Sequence, residues 1–212
     1  MVKKMTKKQR AAEIVKLLAQ HYEASCSLVA QKDYELLFAT RLSAQCTDAR
    51  VNIVTAELFS RWPTLQSIAD ADLEDLMETV KTCGLFRTKA TDIKKCANVL
   101  LASYDGKVPD DLEELLKLPG VGRKTANLIL GDLYGKPAIV ADTHCIRISG
   151  RLGLTDSKDP YQVELQLKKI IAPAEQNDFC HRLVHFGRDI CTARSPKCTE
   201  CFLSDLCPSV GK

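Results

Sequence analysis

The sequence predicts an all-α protein, and three observations carry that prediction. Apolar residues recur at helical spacing along nearly the whole chain. Leu, Ala and Lys dominate while aromatics reach only 6%, a mix that favours helix over strand. The one apolar run of strand type, Pro137 to Val140, is too short to anchor a sheet.

Taken in order, Ala11, Ile14, Val15 and Leu18 form the i, i+3, i+4, i+7 stripe of a first helix. The basic cluster before it (Lys3, Lys4, Lys7, Lys8 and Arg10) reads as a frayed, solvated terminus. Asp33 is expected to cap a second helix through Leu36, Leu37 and Leu42, and Asp48 sits before a third with Val51, Val54 and Leu58. Asp72 opens another through Leu73, Leu76 and Val80, with Gly84 as its expected stop. Thr88 to Ser103 is again helical. The chain shows no internal repeat, low-complexity segment or long linker, and its sequence alone locates no domain boundary.

At 212 residues and 45% hydrophobic content the chain can bury its own core, as one domain or two small ones, so disorder is excluded as its default. A net charge of +3 permits contact with a polyanion without demanding it. No apolar run has the length of a membrane span, and the basic start lacks the apolar stretch of a secretory signal. An intracellular, reducing setting is expected. There, ten cysteines serve as core residues, metal ligands or reactive thiols rather than as a disulfide framework.

The most informative segment is Val108 to Gly131. Pro109, Asp110 and Glu113 have the spacing of a capping box, which opens a helix faced by Leu112, Leu115 and Leu116. Pro119 ends that helix near Leu118 because it has no N–H to give. Gly120 and Gly122 allow positive φ and leave the backbone bare, and Val121 between them can pack the two helices together. A second helix resumes with Ala126, Ile129, Leu130 and Leu133 on one face. Such a turn presents backbone N–H groups beside a helix N-terminus, which suits a phosphate; a plain helix–turn–helix joint would need the same helix breakers.

Lys124, in the first turn of that second helix, points away from the buried stripe. The helix dipole disfavours a cation there and so favours the free amine, a nucleophile able to form a Schiff base with a sugar carbon. A solvated lysine or a phosphate contact fits the same position. Asp142 begins Asp142-Thr143-His144-Cys145. It can be a helix N-cap, a carboxylate that stabilises positive charge on a sugar, or both.

Near the C-terminus Cys191, Cys198, Cys201 and Cys207 form C-x6-C-x2-C-x5-C. Four thiolates in so short a span can close round one metal centre. The unequal spacing favours an iron–sulfur cluster over zinc, whose sites usually pair two CxxC-like turns across a longer gap.

These residues carry a resemblance. Leu118 to Ala126, reading LPGVGRKTA, resembles the helix-hairpin-helix of the endonuclease III family; Val140 to His144 resembles its V-D-T-H segment; and the cysteine spacing is similar to its [4Fe–4S] motif. Leu42 to Asp48 resembles its L-S-A-Q-x-T-D segment, and Gly84 to Ala90 its G-L-[YF]-x-x-K-A segment. The resemblance covers nearly the whole chain, with Cys46 and Cys145 as mild departures.

The resemblance implies a DNA glycosylase that removes oxidised pyrimidines from double-stranded DNA and cleaves the resulting abasic site by β-elimination. It makes Lys124 the Schiff-base nucleophile and Asp142 its carboxylate partner. Gln45 would fill the space left by the flipped nucleotide and Leu85 would wedge the duplex, against simpler readings as a helix-end polar residue and a core leucine. Gly120, Val121, Gly122 and Arg123 would grip the DNA backbone, with Arg194 and Lys197 of the cysteine loop facing phosphates. One [4Fe–4S] cluster per chain would sit on the four cysteines. The implied architecture is two helical lobes with a DNA cleft between them: a six-helix barrel over residues 26–135, its hairpin at about 111–131, and a cluster lobe of residues 1–25 and 136–212 with its loop at 191–207. A monomer is expected, cytoplasmic and nucleoid-associated, whose product passes to an AP endonuclease. A monofunctional glycosylase would lack Lys124, and a purely DNA-binding or redox-sensing protein would need neither Lys124 nor Asp142.

Overall fold

The computed structural model describes residues 5–211, so Lys3 and Lys4 lie outside the described residues. Among the described residues there are helices and no strand. The chain divides into two compact units: residues 26–134, and the N-terminal segment through Ser25 together with the chain from Gly135 onward.

The 26–134 unit contains α2 (Asp33–Leu42), α3 (Asp48–Arg61), the short α4 (Leu65–Asp70) and α5 (Leu73–Thr79), α6 (Phe86–Ser103), α7 (Leu112–Lys117) and α8 (Arg123–Tyr134). Its core forms where stripes from several helices meet: Leu37 and Phe38 of α2, Leu58 of α3, Ile68 of α4, Ile93 and Leu100 of α6, Ile129 of α8. Each is nearly or fully covered, which stabilises the unit by about 1.5–3 kcal/mol per large apolar side chain before the entropy of ordering is subtracted.

The other unit contains α1 (Lys7–His21), α9 (Thr143–Arg151), α10 (Pro160–Ile170) and α11 (Gln176–Asp189), followed by the cysteine loop. The predicted stripe Ala11, Ile14, Val15, Leu18 is the buried face of α1. Of the basic residues before it, Lys7, Lys8 and Arg10 are not a frayed end. Thr6 caps α1 in a capping box with Gln9, which orders Lys7, Lys8 and Arg10 as its first turn. Pro137 to Val140 is an extended connection with Ala138, Ile139 and Val140 buried.

Several expected helix ends move by a few residues, each for a local reason. Asp33 and Asp48 are the first helical residues, not caps; the caps are Lys32 and Thr47. Thr47 accepts from the Arg50 N–H. Asp33 instead turns its carboxylate to the N–H of Val108, tying α2 to the chain before α7. The cap of α7 is Asp111, which accepts from the N–H groups of Glu113 and Glu114, so no capping box forms on Asp110. The fifth helix stops at Thr79, before Gly84, and α6 starts at Phe86, before Thr88. Between them the left-handed residue is Leu85, at φ 61°.

Candidate active site

The hairpin between α7 and α8 is built round Gly120. Its φ is +75°, and a Cβ there would lie 2.7 Å from Arg41 Nε and 2.8 Å from Asp92 Oδ2. Arg41 donates to that same carboxylate oxygen at 2.9 Å from Nε and 2.6 Å from Nη2. Gly120 is therefore required twice, by its backbone conformation and by the half-buried ion pair beneath it. Gly122 differs: its φ is not positive, and a Cβ there would meet nothing within 4 Å. It stays exposed and brings no side chain over the start of α8. Val121 is buried, and its N–H closes the turn onto the Leu118 carbonyl at 3.1 Å. The first turn of α8 starts beside a bare glycine, and N–H groups at a helix start have no intrahelical acceptors.

Arg123 and Lys124 are the first two residues of α8. Lys124 is exposed, opposite the face that buries Ala126, Ile129 and Leu130. Leu133 is only half-buried; the stripe continues through Asn127 and Gly131 instead.

The two segments that follow α2 and precede α6 meet. Gln45 (φ 56°) and Leu85 (φ 61°) both adopt the left-handed backbone that residues other than glycine seldom occupy. Both side chains are exposed, and Leu85, at 59%, is not a core leucine. A Cβ on Gly84 would sit 3.4 Å from the Gln45 carbonyl oxygen, so the two turns touch through backbone. Non-glycine residues in this region cost roughly 1 kcal/mol or more each and persist only where their surroundings hold them.

What holds them is Lys89, to which the sequence reading gave no role. It has no exposed surface, and its Nζ donates to the carbonyls of Leu42 at 2.8 Å and Ala44 at 2.6 Å. Burial lowers its pKa from the ordinary lysine value. A signal was present: Lys89, Ile93, Cys96 and Leu100 fall on one helical stripe, and a lysine on a buried stripe needs partners. Beside it the Cys46 and Cys83 sulfurs lie 3.8 Å apart.

In the other unit Asp142 caps α9, its Oδ1 accepting from the Cys145 N–H at 2.7 Å. One carboxylate oxygen thus fixes the helix start while the carboxylate remains only half-buried. His144, in the first turn of α9, packs over Gly187, where a Cβ would come within 2.4 Å of its Nδ1.

At the far end of α9 lies the cysteine loop. Cys191, Cys198, Cys201 and Cys207 all line one cavity of about 210 Å³, with Leu152, Phe186 and Ile190 as its apolar floor. None of the four is in a disulfide. Burial, and then the other three thiols, push Cys201 above the ordinary thiol value, which marks a concentration of sulfur that a cationic centre would relieve. Among the described residues no three His, Cys, Asp or Glu side chains converge on a point tightly enough for a single ion. Four thiols round a cavity of this volume suit a polynuclear centre better than one zinc.

Arg151, also unassigned from sequence, ties this loop to α9. It donates to Cys191 Sγ at 3.4 Å, to the Thr192 carbonyl at 2.7 Å and to the Ala193 carbonyl at 2.8 Å. Its own carbonyl accepts from Cys207 Sγ and from the Ser209 hydroxyl. Arg194 is exposed; Lys197 is exposed too, with its ammonium 3.9 Å from the Asp189 carboxylate.

Comparison with known proteins agrees with this geometry. Residues 38–173 match the family model of the HhH-GPD superfamily base excision DNA repair protein, and residues 191–207 match the iron-sulfur binding domain of endonuclease III. The chain is 46% identical to endonuclease III of a Synechocystis species, covering 98% of this chain and 95% of that protein. It is 45% identical to endonuclease III of Bacillus subtilis, covering 87% and 84%. A solved structure of a trapped endonuclease III–DNA covalent intermediate is 43% identical, with a TM-score of 0.91 over 97% of both chains.

Proposed function

The chain belongs to the endonuclease III family, DNA glycosylases with AP lyase activity that carry a [4Fe–4S] cluster, and from that premise we propose that Lys124 is its nucleophile and Asp142 its catalytic carboxylate, acting on oxidised pyrimidines in duplex DNA. The observation that carries the proposal is the exposed amine of Lys124 in the first turn after the glycine hairpin. Phosphates bound at the bare turn of Gly120, Val121, Gly122 and Arg123 bring the sugar to that amine.

In the proposed reaction the neutral amine of Lys124 attacks the sugar carbon that bears the damaged base. The C–N bond breaks, and the base leaves with its electron pair. Asp142 stabilises the positive charge that develops on the sugar and takes the proton released by the attacking amine. The ring opens to a Schiff base. Loss of a proton from the adjacent sugar carbon then expels the 3′ phosphate by β-elimination. Asp142 can fill this role while it caps α9, because one oxygen serves the cap and the other remains.

Gln45 and Leu85 enter the duplex where the nucleotide has left. Their exposure and their fixed left-handed backbones support this reading, since a wedge works only if it does not yield. Cys191, Cys198, Cys201 and Cys207 hold the cluster. A cluster held by these four thiolates would tie the loop together, and that loop carries Arg194 and Lys197 toward phosphates. The enzyme acts as a monomer on DNA in the cytoplasm, associated with the nucleoid, and hands its nicked product to an AP endonuclease.

The test is borohydride trapping on a thymine-glycol duplex, with wild type beside Lys124→Ala. A covalent adduct in wild type that vanishes in the variant is expected. No adduct from cluster-loaded wild type on this duplex or on an abasic one would overturn the assignment.

A further inference from the structure

We infer that Cys46 and Cys83 form a redox-reactive thiol pair at the base of the two turns carrying Gln45 and Leu85, and that its closure to a disulfide weakens the grip on lesion DNA. The second half rests on the reading of Gln45 and Leu85 as insertion residues.

The two sulfurs are 3.8 Å apart and unbridged, although 37 positions separate them in the chain. Cys46 directly follows Gln45, and Cys83 stands two residues before Leu85. The pair therefore spans the two turns that Lys89 ties together. Access is unequal: Cys46 is half-buried, whereas Cys83 has no exposed surface. A small oxidant can reach only the first sulfur, and only the first can then reach the second. The environment is also asymmetric in charge. The Lys89 ammonium and Arg50 favour a thiolate at Cys83, but burial and Cys46 outweigh them and push that thiol up to about 11. Cys83 is thus the resolving partner, and Cys46, the one sulfur an oxidant can reach, reacts first. By contrast, Cys145 and Cys180 are both buried, so no oxidant reaches either one directly.

The step balances as thiol–disulfide exchange. The Cys46 thiolate attacks one sulfur of a small-molecule disulfide, forming a mixed disulfide and releasing one thiolate. Cys83 loses its proton, attacks Cys46 Sγ and expels the second thiolate. The two cysteines are oxidised by two electrons, and one external disulfide is reduced to two thiols, which carry the two protons. Closure brings the sulfurs from 3.8 Å to about 2 Å. That contraction falls on residues adjoining two backbones already in left-handed conformations, and it pulls against the carbonyls that Lys89 holds. An insertion pair matched to the open spacing is then misplaced, and an error of about 1 Å at such a site is costly.

The experiment uses the reduced, cluster-loaded full chain treated with oxidised glutathione at neutral pH. The cluster's visible absorbance is followed throughout. Thiols are then blocked and the protein is digested for mass spectrometry, while a parallel sample is titrated against a fluorescent duplex holding a non-cleavable abasic analogue. Expected are a peptide pair joined through Cys46 and Cys83 and a loss of affinity of tenfold or more. Dithiothreitol should reverse that loss, and Cys46→Ala should not show it. A mixed disulfide that persists on Cys46 without linkage, a linkage with unchanged affinity, or an equal loss in Cys46→Ala would each overturn the inference. Leu85→Ala in the reduced state tests the insertion reading separately. If it binds like wild type while oxidised wild type still weakens, the insertion reading falls and the thiol pair stands.

Discussion

Lys89 Nζ donates to the Ala44 carbonyl at 2.6 Å, joining the start of α6 to the turn that carries Gln45. Its second bond, to Leu42, makes the amine a two-point clamp on the end of α2. Lys89→Met keeps the length and the burial but removes both donors. It leaves two carbonyls without a partner while relieving the burial of a charge, so the net cost is expected at about 1–3 kcal/mol. The loss of affinity for abasic-analogue duplex is expected to be larger, tenfold or more, because the left-handed turns lose what holds them. Urea unfolding and DNA titration of one preparation separate the two effects. Equal binding by Lys89→Met would refute the clamp.

Gly120 and Gly122 look equivalent in the sequence and should behave differently. Gly120→Ala forces a Cβ to within 2.8 Å of the Arg41–Asp92 pair at φ +75°. A destabilisation of about 2 kcal/mol or more is expected. Gly122→Ala meets nothing within 4 Å and should leave the melting temperature nearly unchanged. Any loss of DNA affinity in Gly122→Ala would then report contact with the phosphate backbone, not misfolding.

Asp142 combines a cap with a proposed catalytic charge, and substitution can part them. Asparagine caps a helix about as well as aspartate, so Asp142→Asn should stay within about 0.5 kcal/mol of wild type, whereas Asp142→Ala should lose about 1 kcal/mol. Both should lose glycosylase activity by a hundredfold or more. Single-turnover rates on a thymine-glycol duplex check this, and an active Asp142→Asn would leave Asp142 with only its structural role.

Arg151 is expected to govern how long the cluster stays bound. Arg151→Met removes the donor to Cys191 Sγ and the two carbonyl contacts that fold residues 192 and 193 back onto α9. Cluster loss in the presence of an iron chelator, followed by visible absorbance, should accelerate several-fold, with α9 itself intact by circular dichroism. An unchanged rate would mean that the cavity walls alone hold the loop.

The fold was legible wherever one period ran unbroken. The α1 stripe, the end of α7 just before Pro119 and the exposed side of Lys124 all follow from spacing and backbone chemistry. Helix starts shifted by a residue where two capping side chains adjoin, as at Thr47-Asp48 and Asp110-Asp111, because either can accept the first N–H groups and tertiary contacts decide. Gly84 misled because a glycine after a helix suggests a stop, whereas the helix has already ended at Thr79 and Gly84 lies in the turn that meets the Gln45 carbonyl. The burial of Lys89 was legible from its helical stripe, but its partners, the Arg151 tie and the Cys46–Cys83 pair were not. Each joins residues about 40 positions apart, and no local pattern encodes a contact at that distance.

Alkaline pH provides a test of the 26–134 core. Burial, and then the neighbouring Asp92, push the Cys96 thiol up to about 12 from an ordinary value of 9.0. In the unfolded chain the thiol ionises first, so the folded state holds more protons once the pH passes about 9. A raised folded pKa contributes stability that is full below the unfolded value and declines as pH rises toward the folded one. Stability should therefore fall between pH 9 and 12, and part of that slope belongs to Cys96. Cys96→Ala should show a shallower decline over the same window while losing a small constant amount at neutral pH from the missing sulfur. Urea midpoints at half-unit steps of pH for the two proteins measure the difference. Parallel curves would mean that the Cys96 thiol ionises as readily in the folded protein as outside it, and that the contact between α6 and its neighbours is looser than its complete burial implies.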